Sequence, residues 1–164
     1  MARRSVSLDK QNSKSQKQLV VVDAANCIVG RICSQVSKLL LQGNRVTIVN
    51  AEKAMLSGDR YKTIELYKEY LEINSATNPI HGPFHPRRPD TILTKIVRGM
   101  LPKRKTRGVE AFKRLRVYIS TPEDLKNIKT ESFDYSKITR PASYYITVGD
   151  VAKQIGWKEG AKYE

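Results

Sequence analysis

Nine lysines and arginines fall within residues 95–116 against a single acid, Glu110. The stretch reads Lys-Ile-Val-Arg-Gly-Met-Leu-Pro, then Lys-Arg-Lys-Thr-Arg-Gly, then Val-Glu-Ala-Phe-Lys-Arg-Leu-Arg. Apolar residues recur at helical spacing between the cations, and Gly99, Pro102 and Gly108 cut the stretch at fixed points. The chemistry open to such a set is ionic recognition rather than bond making. Ammonium and guanidinium groups held on a shaped surface bind the phosphates of a polyanion. RNA is the partner this predicts.

The charge map points the same way, because the excess is concentrated. Residues 1–18 carry five cations and one acid, and residues 19–94 carry nine and seven. Residues 95–116 carry nine and one, and residues 117–164 carry seven of each. Twelve units of the net charge of +14 therefore come from two segments. Cations added for solubility alone would be spread evenly. Clustered ones create a local potential that draws phosphates in. A solvated face with no partner is the bland alternative, and the Gly and Pro punctuation argues against it. An anionic membrane fits less well, because no aromatic-rich amphipathic helix accompanies the cations and no apolar run approaches a membrane span.

With 164 residues, one domain is the natural count. Residues 1–18 read as a basic flexible arm and residues 19–164 as a single α/β domain. The arm is polar, with Val6 and Leu8 its sizeable apolar side chains after Met1. Ordering it takes a partner, since so little apolar surface cannot offset the entropy. An arm that orders on RNA is favoured over a transit peptide, and Arg3, Arg4 and Lys10 become candidate contacts by charge alone. Cys27 and Cys33 have no nearby His or third Cys, which suggests buried small hydrophobes in a reducing compartment. His81 and His85 have a spacing that grips metal on a helix, but Gly82, Pro83 and Pro86 exclude a helix there. No metal site is expected.

The elements that must position the cations follow from pattern. Residues 19–24 form an apolar run suited to a strand covered on both faces. Gly30 opens a helical pattern with Ile32, Val36, Leu39 and Leu40 on one face, stopped by Gly43-Asn44. Residues 45–50 are the next β-branched strand, completing a right-handed βαβ unit. Residues 115–120 give a third strand, and residues 144–147 a short fourth element or an extended loop. Pro89-Asp90 precedes the stripe Ile92, Ile96, Val97, Met100, which stops at Pro102. Lys95 and Arg98 fall off that stripe, so one helix can pack inward and present cations outward. Thr121-Pro122-Glu123-Asp124 reads as a helix start, and Thr147 with Asp150 as a capping box closed by Gly156. Residues 59–73 read as a helix whose Tyr61, Tyr67 and Tyr70 serve packing rather than base stacking. Residues 74–90 form a long loop, a length that is usually functional or ordered by a partner.

An α/β sheet raises the question of a nucleotide enzyme. The turn after the first strand, Asp23-Ala-Ala-Asn-Cys-Ile-Val-Gly30-Arg31, has one glycine where a dinucleotide fold needs three. No P-loop, serine elbow, paired-histidine zinc motif or Cys-His arrangement is visible. Asp23 stands where a catalytic carboxylate can sit in an open sheet, or where a turn former can. No catalysis, cofactor or small-molecule substrate is expected.

Several blocks together carry a resemblance: residues 20–31 (Val-Val-Val-Asp-Ala-Ala-Asn-Cys-Ile-Val-Gly-Arg), residues 49–58 (Val-Asn-Ala-Glu-Lys-Ala-Met-Leu-Ser-Gly) and residues 97–102 (Val-Arg-Gly-Met-Leu-Pro). Gly82-Pro-Phe-His-Pro-Arg-Arg-Pro89, Arg107-Gly108 and the late Gly156-Trp157 complete the pattern. The chain resembles the ribosomal protein L13 family of the large subunit, in its archaeal and eukaryotic branch. That resemblance implies a three-layer α/β/α fold around a central, mostly parallel four-stranded sheet. It implies a structural constituent that binds and stabilises large-subunit rRNA during assembly and in the mature ribosome, beside neighbouring large-subunit proteins in the cytoplasm. Carried onto this chain, the RNA-binding positions are Arg31, Arg87, Arg88, Arg98, Lys103, Arg104, Lys105 and Arg107. Arg31 has a structural alternative as an ion-pair partner, and Phe84 and His85 either stack on a base or fill the loop. Gly99 and Gly108 are expected to let RNA approach the backbone. The rivals are a nucleotide-handling enzyme and a free-standing regulatory RNA binder.

Overall fold

The first strand, β1 (Leu19–Asp23), runs parallel to β2 (Arg45–Val49), with Val20 opposite Val46 and Val22 opposite Ile48. Helix α1 (Val29–Gln42) makes the crossover and buries Val29, Ile32, Cys33, Val36 and Leu40. It ends because Gly43 takes a left-handed φ of 105°, letting the N–H groups of Gly43 and Asn44 return to the carbonyls of Leu40 and Leu39. The computed structural model describes residues 18–158. Arg3, Arg4 and Lys10 of the basic arm lie outside the described residues.

After β2 come a short strand β3 (Met55–Ser57) and helix α2 (Arg60–Glu72), whose start is capped by Asp59 accepting the Tyr61 N–H at 3.1 Å. Helices α3 (Pro89–Met100) and α4 (Thr106–Lys113) then lead into β4 (Leu115–Val117), parallel to β2. The two-residue β5 (Thr130–Glu131) lies parallel to β1 on its other side. Strand β6 (Tyr145–Thr147) runs into the last helix, α5 (Val148–Gln154). The result is mixed α/β, with a parallel four-stranded sheet in the order β4-β2-β1-β5 flanked by helices.

Two expectations are corrected. The element at residues 144–147 is a strand, but it pairs antiparallel with β3 in a separate ribbon, and β5 is the fourth strand of the sheet. The helix start at residues 121–124 yields only a 3-10 turn, Glu123–Leu125. Capping signals initiate a helix, yet a short one survives only by burying an apolar face. Downstream of Pro122 the first two apolar side chains are Leu125 and Ile128, and Ile128 is exposed, so no such face exists. By contrast Thr147 accepts the Asp150 N–H at 3.0 Å, and α5 buries Val148, Val151 and Ala152, so its cap signal is realised.

The core joins Val20, Val22, Val46 and Ile48 of the sheet to Ile32, Val36 and Leu40 of α1 and to Ile92, Leu93 and Val97 of α3. Val148, Ala152, Ile155 and Trp157 extend it. Cys27 and Cys33 are unpaired and buried, and burial pushes the Cys33 thiol up to about 12. Helix α2 has no fully buried residue, and Tyr61 is exposed, so the packing role expected of its tyrosines holds for Tyr67 and not for Tyr61.

Gly108 faces the chain rather than solvent. A Cβ there would overlap the Pro102 carbonyl oxygen and come 2.9 Å from the Pro102 ring, whereas one on Gly99 would meet nothing within 4 Å. Gly108→Ala should therefore lower unfolding free energy by about 1–3 kcal/mol through overpacking. Gly99→Ala, in the last turn of α3 with free space around it, should be neutral or stabilising by up to about 1 kcal/mol. Urea titration of both variants separates the two outcomes, and equal effects would contradict the packing described.

Candidate nucleic-acid interface

The basic segment is rigid because it is half core. Ile92, Leu93, Val97, Leu101, Ala111 and Leu115 are buried along α3, α4 and the start of β4. Residues 95, 98, 103–105, 107, 113 and 116 are exposed between them. Between the helices the chain reverses through a tight turn in which the Lys105 N–H donates to the Pro102 carbonyl at 3.1 Å. Lys103, Arg104 and Lys105 stand on that turn, exposed, with no side-chain hydrogen bond or ion pair among the described residues. Three adjacent cations without a partner among the described residues thus stand on a backbone fixed by buried neighbours.

Other candidates are partly engaged. The Arg107 guanidinium donates to the Leu41 carbonyl at 3.1 Å, and Arg114 donates to the Leu40 carbonyl at 2.8 Å. Both act on the carboxyl end of α1, where free carbonyls and the helix dipole favour cations and where α1 has no basic residue of its own. Arg98 places its guanidinium 6.0 Å from the Phe112 ring centroid and borders a small cleft with Lys103. Arg88 pairs with Asp90 at 3.1 Å on a half-exposed surface, and Arg87 is exposed with its guanidinium beside Gly156.

Arg31 takes the structural role as a hydrogen-bond donor rather than an ion-pair partner. Its guanidinium reaches the Tyr135 carbonyl at 3.0 Å and fixes the amino end of α1 to the Asp134–Ser136 turn. It sits about 15 Å along α1 from the Leu41 carbonyl that Arg107 grips. The structure thus gathers Arg98, Lys103, Arg104, Lys105 and Arg107 at one end of α3 and places Arg87 and Arg88 at the other, roughly 18 Å away. Arg31 is not in either group. Close backbone approach at Gly108 is made to Pro102, within the protein.

Sequence reasoning passed over Arg114, whose partner lies 74 residues away and carries no local signal. It also left open what His85 does. His85 stacks on Tyr70, with centroids 6.2 Å apart and planes 12° apart, and Tyr67 meets Tyr70 edge-on. Lys95 closes the loop onto α3 by donating to the Phe84 carbonyl at 3.0 Å. Burial, and then the neighbouring Tyr70, raise the Tyr67 phenol above its ordinary value. Phe84 is 79% exposed and takes no part in the stack.

At the carboxyl edge of the sheet, Asp23 is a turn former. Its Oδ1 accepts the Ala25 N–H at 3.0 Å and the Asn50 side-chain amide at 2.9 Å. The Asn50 oxygen in turn accepts the Thr121 hydroxyl at 3.2 Å. Asn26 and Asn50 both adopt left-handed φ, 55° and 57°, a conformation Asn tolerates better than most side chains. The turns after β1, β2 and β4 are thus tied to one another at the end of the sheet where open α/β sheets bind ligands. Among the described residues no cluster of three or more His, Cys, Asp or Glu could hold a metal, and no helix is long and apolar enough to cross a membrane.

Fold and surface together define a basic α/β protein whose unpartnered cations gather on a two-helix flank. The family model described as ribosomal protein L13 matches residues 17–124. A large ribosomal subunit protein uL13 of Aeropyrum pernix is 44% identical over 144 residues, covering 87% of this chain and 93% of that one. Its counterparts in Methanococcoides burtonii and Thermoplasma acidophilum are each 43% identical, covering 85% and 83% of this chain and 99% and 97% of theirs. The chain belongs to the ribosomal protein L13 family, whose members are structural components of the ribosome and not enzymes.

The two arginines on α1 should differ in weight. Arg114 is partly buried, so Arg114→Ala should cost about 1–2 kcal/mol by leaving the Leu40 carbonyl short of a charged donor. Arg107→Ala, at an exposed bond, should stay within about 0.5 kcal/mol. Chemical denaturation of the two single variants reads this directly; a reversed order would contradict the anchoring role given to Arg114.

Proposed function

We propose that the chain binds large-subunit ribosomal RNA and stabilises it during assembly and in the mature subunit, without turnover. The observation that carries this reading is the turn at Lys103, Arg104 and Lys105. Its three cations have no partner among the described residues, and its backbone is clamped by buried residues on both sides. Nothing in folding requires three adjacent uncompensated charges, and a phosphate backbone does. The names of the relatives, as large ribosomal subunit proteins, support the same partner.

In this reading Lys103, Arg104 and Lys105 are point charges on phosphates, and Arg98 and Arg107 offer guanidinium edges beside them. Arg87 and Arg88 extend the contact at the far end of α3. Arg31 contributes through whatever donors its Tyr135 bond leaves free. Arg3, Arg4 and Lys10 contribute through the basic arm of residues 1–18, with residues 19–164 as the docking domain. Neighbouring large-subunit proteins are its other contacts, in the cytoplasmic ribosome.

Replacing Lys103, Arg104 and Lys105 together by Ala tests the docking surface. The slope of log affinity for rRNA against log salt should become shallower by about two to three. Unfolding free energy should change by less than about 1 kcal/mol, because exposed charges contribute little to folding. A large stability loss with unchanged RNA affinity would sink the reading. Sedimentation of the tagged full chain gives the companion result: co-migration with large subunits that survives high salt is expected. Release into a free pool would favour a transient regulatory binder.

A further inference from the structure

The molecule has a cavity that the phosphate surface does not use. It lies under α2, against α3 and the loop of residues 74–88, with a volume of about 290 Å³. Tyr67, Tyr70, His85, Lys95, Ile96 and Gly99 are among its walls. We propose that this cavity receives one unstacked base of the RNA held by the cationic flank. The proposal rests on the RNA-binding reading and specifies what that surface grips besides phosphate.

Size is the first argument. Pockets for drug-sized molecules run from about 300 to 1,000 Å³, so this one stands at the small end, suited to a single flat heterocycle. The wall chemistry is the second. Aromatic rings and aliphatic side chains are what proteins use to hold bases pulled out of a stack. Tyr70 and His85 already lie nearly parallel, with 12° between their planes, and an aromatic face is one that any base can use. Gly99 leaves that part of the wall open, since a Cβ there would touch nothing within 4 Å.

A third argument comes from an unpaired atom. The Nε2 of His85 is buried, with no hydrogen-bond partner among the described residues. Leaving a buried polar atom unpaired costs free energy, so such atoms ask for a partner. An imidazole nitrogen can donate or accept according to tautomer, and base edges present both kinds of group.

Charge decides between a base and an apolar side chain of a protein neighbour. Lys95 lines the cavity and spends one of its three donors on the Phe84 carbonyl, keeping two for a phosphate. Arg87 lines the adjoining cleft, which shares His85. Cations flanking an aromatic slot fit a nucleotide, with its base inside and its phosphate at the mouth. An apolar side chain has no use for them. Helix α2 has no fully buried residue, so the roof is lightly held and can adjust to an occupant.

Short-wavelength ultraviolet light forms zero-length adducts between bases and the side chains they touch. Large subunits would be purified from cells expressing the tagged full chain, irradiated, digested and analysed by mass spectrometry for nucleotide adducts. The expected result is an adduct at Tyr70 or His85, lost in subunits carrying Gly99→Leu, which fills the cavity. Tyr70→Leu, which keeps apolar contact but removes the ring, should weaken binding of the extracted rRNA about tenfold, the weight of one stacked base. Thermal melts confirm that each variant folds. Adducts or salt-dependent protection at residues 103–107 with none at residues 67–87 would overturn the cavity site and leave RNA binding standing. A protein cross-linked into the cavity instead would overturn it too. Absence of the chain from large subunits would overturn the RNA reading and this site with it.

Discussion

The last carbonyls of α1 meet two guanidinium groups that belong to another part of the chain, and the placement of the basic flank depends on that meeting. Helix α1 is fixed to β1 and β2 by Ile32, Val36 and Leu40. Its carboxyl end, with Leu39 and Leu40 satisfied by the Gly43 turn, still presents partial negative charge. Arg107 and Arg114 bind there, at Leu41 and Leu40, and so attach α4 and the approach to β4 to the helix of the βαβ unit. Gly108 lies between those two arginines and presses α4 against Pro102. Both contacts make the α3–α4 turn a fixed object.

A fixed turn changes what cations are worth. Flexible lysines lose rotamer and backbone freedom on binding, and that loss subtracts from affinity. Here the backbone share of the loss has already been met by folding. The nine cations of residues 95–116 consequently divide into two groups. Lys95, Arg98, Arg107, Arg114 and Arg116 have partners within the protein. Lys103, Arg104, Lys105 and Lys113 have none among the described residues. The first group shapes the surface that the second group charges. A composition-level view of a basic protein misses this, because both groups count equally in the net charge.

The parts of the fold that were legible in the sequence are those whose signals are local. The βαβ unit could be read from a continuous apolar run, a helical stripe and a glycine stop; α3 from Pro89 and Pro102; α5 from Thr147 and Asp150. Strands β3, β5 and β6 have two or three residues each, too few to show a period of two. Their pairing joins residues some 90 positions apart in β3 and β6, and 109 apart in β1 and β5, where no local pattern can speak. The same holds for the site. Exposure of Lys103, Arg104 and Lys105 followed from Pro102 and the charge density around them. The duties of Arg31 and Arg114 did not, because a long donor side chain chooses its carbonyl in three dimensions.

A parallel sheet with crossover helices ordinarily concentrates function at the carboxyl ends of its strands, where the backbone diverges and leaves a crevice. This chain ties the turns there to one another. Asp23 accepts from the Asn50 amide and Asn50 from the Thr121 hydroxyl, and Asn50 takes a left-handed backbone at that position. Such strain, of order 1–3 kcal/mol at a non-glycine residue, persists only where surrounding contacts over-determine it. Here it secures the turns rather than a reactive group. The sheet serves as a rigid base for α1 and α3, and the exposed cations stand on the flank that α3 and α4 make. The hydrogen bonds that tie the sheet edge and those that hold the α3–α4 turn both fix connecting segments to one sheet.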